Sequence, residues 1–224
     1  MKTARTSFVL GFAATGGVLL AVGAVALARP GSAEGPRSGP APVSGVPSQA
    51  PLAVLSKPRR PDDALPPALA ASASALAGGP ELAPEIRNGA VRVEASHLAL
   101  SNLGAEARSF YIVPTAKGRV CVVITNGAEG CEEGNFGAAH PASWGLSDVD
   151  GYRHGTPTEV DGLVPNNVVR VTVVDDKGGR TAARVGNNAY YAELAEGAAM
   201  PTSIVLDYAD GGSATTDLPA ITIG

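Results

Sequence analysis

The sequence predicts an all-β fold class, an immunoglobulin-like antiparallel β-sandwich over residues 86–224 of the 224-residue chain. Short runs alternate apolar and polar residues, as in residues 168–174, and this period of two is typical of half-buried strands. Clusters of Gly, Asn and Asp separate the runs and supply turn residues. Many short strands with turn signals between them favour a sandwich. Residues 97–107 are the one modest helix candidate in this region.

An uncharged run over residues 8–28 predicts one N-terminal transmembrane helix. Its 21 residues would extend about 31 Å as a helix, close to the hydrocarbon thickness of a bilayer. Lys2 and Arg5 precede the run, which places the N-terminus in the cytoplasm and the rest of the chain across the membrane. A cleaved signal peptide is the alternative, because residues 26–28 (Ala-Leu-Ala) resemble a cleavage site. We therefore expect a single-pass membrane protein with an extracytoplasmic C-terminal domain, or a secreted one.

Residues 29–85 have the composition of a disordered Pro/Ala-rich linker, or stalk. They hold 12 of the 18 prolines and no aromatic residue. Proline removes backbone donors and favours extended segments, so such a stretch buries too little apolar surface to offset its ordering entropy. Residues 68–77 predict a short helix within the stalk. Residues 57–60 (Lys-Pro-Arg-Arg) form a basic patch, which suits either an anionic lipid or wall polymer, or a solvated linker.

The strands of the domain follow one another between recognisable turns. Residues 90–95 predict one strand, and residues 110–113 and 120–125 predict a hairpin around a turn at 114–118. Further along, the sequence predicts a hairpin over residues 168–185 and a turn at residues 186–188. The remaining predicted strands are residues 189–192, 203–208 and 213–218, the last two joined by an Asp-Gly-Gly turn at 210–212.

Cys121 and Cys131 are the two cysteines of the chain. An extracytoplasmic location predicts that they form a disulfide, because such compartments are oxidising. Closing a loop of this size would stabilise the fold by roughly 3 kcal/mol from chain entropy. Two cysteines ten residues apart, with no third sulfur or nearby His, do not match a zinc site.

The charge balance of the domain argues against nucleic acid as a partner. Residues 86–224 contain 10 basic and 16 acidic residues, and 10 − 16 gives a net charge of −6. Nucleic-acid binding requires a basic face that neutralises phosphates. The expected partners are instead the membrane, through residues 8–28, and an envelope protein or polymer that the sequence does not identify.

A polar stretch over residues 144–154 is the candidate interaction loop. Three ring-bearing residues mark it: Trp144, Tyr152 and His154. Asp148 and Asp150 lie between them and are the candidate metal ligands, because their spacing resembles the start of a calcium loop.

The third ligand and distal Glu of a calcium-binding EF-hand are missing from that loop. Glu159 and Asp161 could complete such a site in space. The simpler interpretation is an Asx-rich turn with Trp144 packed on the sandwich.

No combination of residues in the sequence identifies a catalytic or cofactor-binding site. The three histidines are scattered: His97, His140 and His154. Ser143 is isolated from any nucleophile-elbow pattern. Glu132 and Glu133 could pair as acid and base, but nothing in the sequence indicates a pocket around them. We therefore expect a protein that is not an enzyme and needs no cofactor.

Four segments of the domain resemble a family of uncharacterised envelope proteins from high-GC Gram-positive bacteria. The segments are residues 110–121, 143–151, 162–168 and 186–194. The resemblance covers about residues 86–210, and it implies an envelope location and a β-fold without implying an activity.

The sequence therefore predicts a non-catalytic extracytoplasmic interaction or structural module at the cell envelope. The alternative is a module that binds a divalent cation or small ligand through the loop of Asp148 and Asp150.

Overall fold

The computed structural model describes residues 52–76, 89–127, 129–137, 140–147, 158–195 and 197–219. The predicted transmembrane helix over residues 8–28 lies outside these residues. Among the described helices, none is long and apolar enough to cross a bilayer.

Within the described residues, twelve strands form three antiparallel sheets of four strands each. The first sheet has the order β1–β2–β3–β4 and consists of β1 (His97–Leu103), β2 (Arg108–Pro114), β3 (Arg119–Ile124) and β4 (Glu129–Glu133). The middle sheet contains β5 (Gly145–Ser147), β6 (Glu159–Leu163), β9 (Arg184–Gly186) and β10 (Ala189–Glu193), in the order β5–β6–β10–β9. The third sheet contains β7 (Val168–Asp175), β8 (Arg180–Ala182), β11 (Pro201–Tyr208) and β12 (Ser213–Asp217), in the order β12–β11–β7–β8.

The middle sheet is covered on both faces. Successive residues of a strand point to opposite faces, so a strand between two layers is buried at every position. All five residues of β6 are buried accordingly. On one face, Leu163 and Tyr191 pack against the first sheet. On the other face, Val160 and Tyr190 pack against the third sheet. The prediction of an all-β antiparallel protein is confirmed, and the described residues form three sheets.

The predicted hairpins are largely confirmed. Strands β2 and β3 form one, and β11 and β12 form another. Strands β7 and β8 pair as far as Ala182, after which β9 pairs with β10 in the middle sheet. The predicted hairpin over residues 168–185 thus ends early, and its last residues change sheet. Asn187 and Asn188 form the next turn with φ of 46° and 67°, a conformation that Asn tolerates.

Two sequence predictions upstream of β2 are wrong. Residues 97–107 form strand β1 and a turn rather than a helix. Asn102 and Gly104 have φ of 55° and 60°, which interrupts a right-handed helix, and strand pairing with β2 supplies the hydrogen bonds. In the predicted strand over residues 90–95, Val91 makes a single bridge to Thr115, and Val93–Ala95 is a 3₁₀ turn.

The disordered-stalk prediction for residues 29–85 is wrong for residues 52–76, which we call the strap. The strap consists of two short 3₁₀ turns (Ala53–Ser56 and Pro61–Asp63) and helix α1 (Pro67–Ala75). Leu52 and Val54 are each 2 % exposed and belong to the core between the first and middle sheets. Composition indicates disorder on average, but two apolar side chains docked in a formed core are enough to hold a short segment.

Polar contacts also fix the strap to the domain. The backbone N–H groups of Ala53 and Val54 donate to the side-chain oxygens of Asn166 (2.6 Å) and Asn188 (3.0 Å). Farther along, the short helix predicted over residues 68–77 is confirmed as α1. Ala73 of α1 is fully buried against the outer face of the first sheet, beside the two cysteines.

We expect Val54→Ala to lower the free energy of unfolding by about 1–3 kcal/mol, because it removes two buried methyl groups from the core. The matched control is Val169→Ala, since Val169 is 60 % exposed and should lose less than about 0.5 kcal/mol. Urea denaturation of the two variants measures the difference. Equal stabilities would mean that the strap does not pack in solution.

Candidate functional site

The candidate site is a small pocket, the inner pocket, between β4 of the first sheet and β5 and β6 of the middle sheet. Its volume is about 30 Å³. Polar and aromatic side chains line it: Glu129, Glu132, Ser143, Trp144 and Asp161. A pocket of this size holds one or two water molecules, so it is far smaller than a ligand cleft.

The strand registers bring two carboxyl groups, Glu132 and Asp161, to this pocket. Glu132 pairs with Val120, whose side chain belongs to the core facing the middle sheet. Asp161 pairs with Tyr191, which faces the same core from the other side. Because directly opposed residues in a sheet share a face, both carboxyl groups point into the interface between the two sheets. We call Glu132 and Asp161 the carboxyl pair.

Burial raises the pKa of both members of the carboxyl pair. The pKa of Glu132 rises to about 7 because of burial, helped by the negative charge of Asp161 and opposed by the Ser143 hydroxyl and by Arg119. The pKa of Asp161 also rises to about 7, because burial outweighs the attraction of Arg108. Asp161 Oδ2 is buried without a hydrogen-bond partner in the described part of the chain. Both carboxyl groups therefore keep their protons to a higher pH than solvent-exposed carboxyl groups do.

A second polar cluster lies beside the carboxyl pair and contains the ion pair of Arg108 and Glu159. Both side chains are 4 % exposed. The Tyr191 hydroxyl donates to Glu159 Oε1 at 2.6 Å, and the Ser147 hydroxyl donates to Glu159 Oε2 at 3.0 Å. Arg108 also donates to the Tyr191 hydroxyl at 2.8 Å. A buried ion pair is tolerated when hydrogen bonds satisfy its remaining atoms, and these bonds do so for Glu159.

Ser143 connects the middle sheet to the carboxyl pair. Its hydroxyl bonds the Glu132 carboxyl group and accepts from the backbone N–H of Leu163 at 2.8 Å. Its carbonyl oxygen accepts from the Tyr190 hydroxyl at 2.9 Å. This arrangement holds the serine in place and engages its hydroxyl, which suits a structural contact better than a nucleophile.

The three histidines of the sequence are not gathered at the inner pocket. His97 is buried under the strap, with Nδ1 3.7 Å from Asp63 Oδ2. His140 is exposed, and His154 lies outside the described residues. Glu133 is exposed at the end of β4, on the opposite face to Glu132, because adjacent strand residues point apart. The suggested acid–base pair of Glu132 and Glu133 is therefore wrong, and Asp161 is the partner of Glu132.

The disulfide prediction is confirmed, since Cys121 and Cys131 are directly opposed on β3 and β4 and form a disulfide bond. Trp144 is half-buried and packs against the core between the middle and third sheets. The remaining site predictions concern residues outside the described chain: Asp148, Asp150, Tyr152 and His154. In the part that is described, no three His, Cys, Asp or Glu side chains are grouped so that they could hold a metal ion.

The sequence indicates Glu159 and Asp161 together, as possible cation ligands, but it does not group them with Glu132 or Ser143. The missed member is Arg108, the buried cation. Nothing in the sequence around Arg108 indicates that it is buried, because an Arg at the start of a strand is usually exposed. Comparison with protein-family models, with curated proteins and with solved structures finds no match to this chain.

We expect the carboxyl pair to make the protein less stable as the pH rises from 5 to 7.5. Unfolded Glu and Asp lose their protons near pH 4, whereas the folded pair keeps its protons up to about pH 7. Each retained proton lowers the free energy of unfolding by about 1 kcal/mol per pH unit in this window. Glu132→Gln removes one of these titrations and should flatten the profile relative to wild type.

Urea denaturation at several pH values measures this effect, and the exposed neighbour supplies the control. Glu133→Gln should keep the wild-type slope. His97, whose pKa is lowered mainly by burial, contributes a slope of opposite sign in all three proteins and cancels in the comparison. Parallel profiles for wild type and Glu132→Gln would contradict the raised pKa of Glu132 in the carboxyl pair.

We expect Gly162→Ala to destabilise the fold by roughly 1–3 kcal/mol, because an added Cβ would overlap the carbonyl oxygen of Ser143 and lie 2.9 Å from the Tyr190 ring. The control is Gly137→Ala, where no atom lies within 4 Å of the added Cβ. Thermal unfolding compares the two. A similar melting temperature for both variants would show that the Ser143–Tyr190 packing is not tight.

Proposed function

We propose that this chain is a non-catalytic interaction or structural module on the extracytoplasmic side of the cell membrane. The observation that carries the proposal is the disulfide between Cys121 and Cys131, which lies on the first sheet beneath α1. Structural disulfides persist in oxidising compartments and are rare in the cytosol. The uncharged run over residues 8–28 supports the same location, as an anchor or as a secretion signal.

The non-catalytic part of the proposal rests on the inner pocket. Its volume of about 30 Å³ leaves no room for a substrate of ordinary size. The Ser143 hydroxyl is engaged by Glu132 and Leu163. The polar groups of the interface are thus used to join two sheets, which fits a rigid scaffold.

The organisation that we propose has three parts. Residues 8–28 anchor the chain, residues 29–51 act as a spacer, and the strap begins the folded module. Within the module, we propose that the middle and third sheets form an immunoglobulin-like pair and that the first sheet is added to it. The resemblance to envelope proteins of high-GC Gram-positive bacteria is part of the same proposal. The expected partner is an envelope protein or polymer rather than nucleic acid.

A second candidate function is divalent-cation binding, and one observation favours it. Strand β5 ends at Ser147, immediately before Asp148, and Ser147 pairs with Glu159 of β6, one of the carboxylates suggested to complete a calcium site. In this candidate function, Asp148 and Asp150 are the cation ligands. Millimolar calcium should then raise the melting temperature, and Asp148→Asn should remove the shift. No shift in wild type would eliminate this candidate.

Fractionation of cells that express the full chain tests the main proposal. A membrane-bound protein that retains residues 1–28, or a secreted one that begins near Arg29, supports it. Thiol labelling before and after reduction supplies an independent readout, in which both cysteines should react only after reduction. A cytosolic protein with two free thiols would contradict the proposal. If the protein is found at the membrane or is secreted, crosslinking at the cell surface identifies its envelope partners.

A further inference from the structure

A cavity lies between the strap and strand β1, away from the inner pocket, and we call it the strap cavity. Its volume is about 360 Å³, within the range of small-molecule sites. The strap supplies Val54, Lys57, Arg60 and Asp63, and the opposite wall is formed by His97 and Leu98. The cavity therefore combines an apolar surface with two flexible cations.

The wall of the strap cavity is fixed while its cations are accessible. Asp63 is 2 % exposed, and its oxygens accept from the backbone N–H groups of Arg60 (2.6 Å) and Leu98 (2.9 Å). By contrast, the Arg60 side chain is 62 % exposed, and its Nη2 lies 3.6 Å from Asp63 Oδ1 in an ion pair that leaves its other donors open to solvent. Lys57 is exposed and donates to Asn187 Oδ1 at 2.6 Å. An ammonium group has three donors, so this bond positions Lys57 without exhausting its hydrogen-bonding capacity.

The charge around the cavity is positive on balance. Lys57 and Arg60 line it, and Arg59 is held beside it by a bond from Nε to the Ser96 carbonyl oxygen at 3.1 Å. Asp63 is the one acidic residue in the lining, and its carboxylate is already satisfied. The same surroundings act on His97: burial lowers its pKa, Asp63 opposes this, and the three cations lower it further.

We propose that the strap cavity binds a phosphate-bearing polyol or sugar. Lys57 and Arg60 contact the phosphate, because an ammonium and a guanidinium group make charge-assisted bonds to its oxygens. Pro58 and Leu98, which line the cavity and are not fully buried, contact the carbon skeleton. A free phosphate ion would fill only a small part of 360 Å³, which favours a phosphate on a larger polar carrier. The concave shape favours a soluble group over a flat membrane surface.

This inference deepens the proposed function, because it names a partner class, and it rests on that function only for the source of the phosphate. Anionic envelope polymers and lipid headgroups both carry phosphate on a polyol. Binding to the purified protein is independent of where the protein resides in the cell. A lack of binding to the purified protein would therefore overturn the phosphate site alone, and a cytosolic location would overturn the proposed function alone.

Calorimetric titration of the purified full chain with glycerol 3-phosphate tests the site. We expect saturable binding, weaker binding of inorganic phosphate and none of glycerol. Lys57→Gln and Arg60→Gln should each weaken binding roughly tenfold or more, the loss expected for a hydrogen bond to a charged group. Each substitution removes one exposed contact of the strap, to Asn187 or to Asp63, so the ligand-free melting temperature should fall by no more than a few degrees. Lys177→Gln, at the exposed β7–β8 turn, is the matched control and should bind as wild type does.

Absence of binding, or equal affinity in wild type and in both strap variants, would overturn the proposal. Vesicles of phosphatidylglycerol, with phosphatidylcholine as the neutral control, form the second arm. The segment over residues 8–28 is common to wild type and variants and cancels in that comparison. Vesicle binding that depends on Lys57 and Arg60, together with glycerol 3-phosphate binding, supports the site with a lipid headgroup as its source. Vesicle binding without glycerol 3-phosphate binding would overturn the soluble-phosphate site.

Discussion

The fold depends on a middle sheet that is buried on both faces. Strands β6 and β10 lie between two other sheets, so the polar side chains on their faces must find partners inside the protein. Glu159 meets this requirement through its ion pair with Arg108 and through the hydroxyl donors of Tyr191 and Ser147. Asp161 meets it differently: burial raises its pKa to about 7, so that it keeps its proton to a higher pH than a solvent-exposed Asp does.

The same constraint explains the close packing at Ser143. With sheets on both sides, the chain entering β5 has to pass near β6, and Gly162 leaves the space for the Ser143 carbonyl group. The Tyr190 hydroxyl then satisfies that carbonyl oxygen, and the Ser143 hydroxyl satisfies Glu132. The packing at Ser143 and the protonation of Glu132 are therefore coupled. Removing the side chain of Ser143, Tyr190 or Glu132 would leave a polar atom of its neighbour without a partner.

The strap closes the fold from outside and creates the second cavity. Two apolar residues, Leu52 and Val54, fix its beginning in the core, and the buried Asp63 fixes its middle to β1. Between these fixed points, the chain carries Lys57, Arg59 and Arg60 past His97. A basic patch that is unremarkable in the sequence thus becomes the wall of a cavity, because the chain before it is fixed to Asn166 and Asn188 and the chain after it is fixed to β1.

The sequence by itself determined seven strands, most turns and the disulfide, because period-two alternation, Asn and Gly turns and a lone cysteine pair are local signals. The seven strands are β2, β3, β7, β8, β10, β11 and β12. The short helix α1 was equally local. Tertiary structure decided three other features: that residues 97–103 form a strand, that residues 52–76 are ordered, and that Glu132 meets Asp161 rather than Glu133. Each of these depends on burial against a distant segment, and neither local propensity nor composition reports which distant residues will supply that surface.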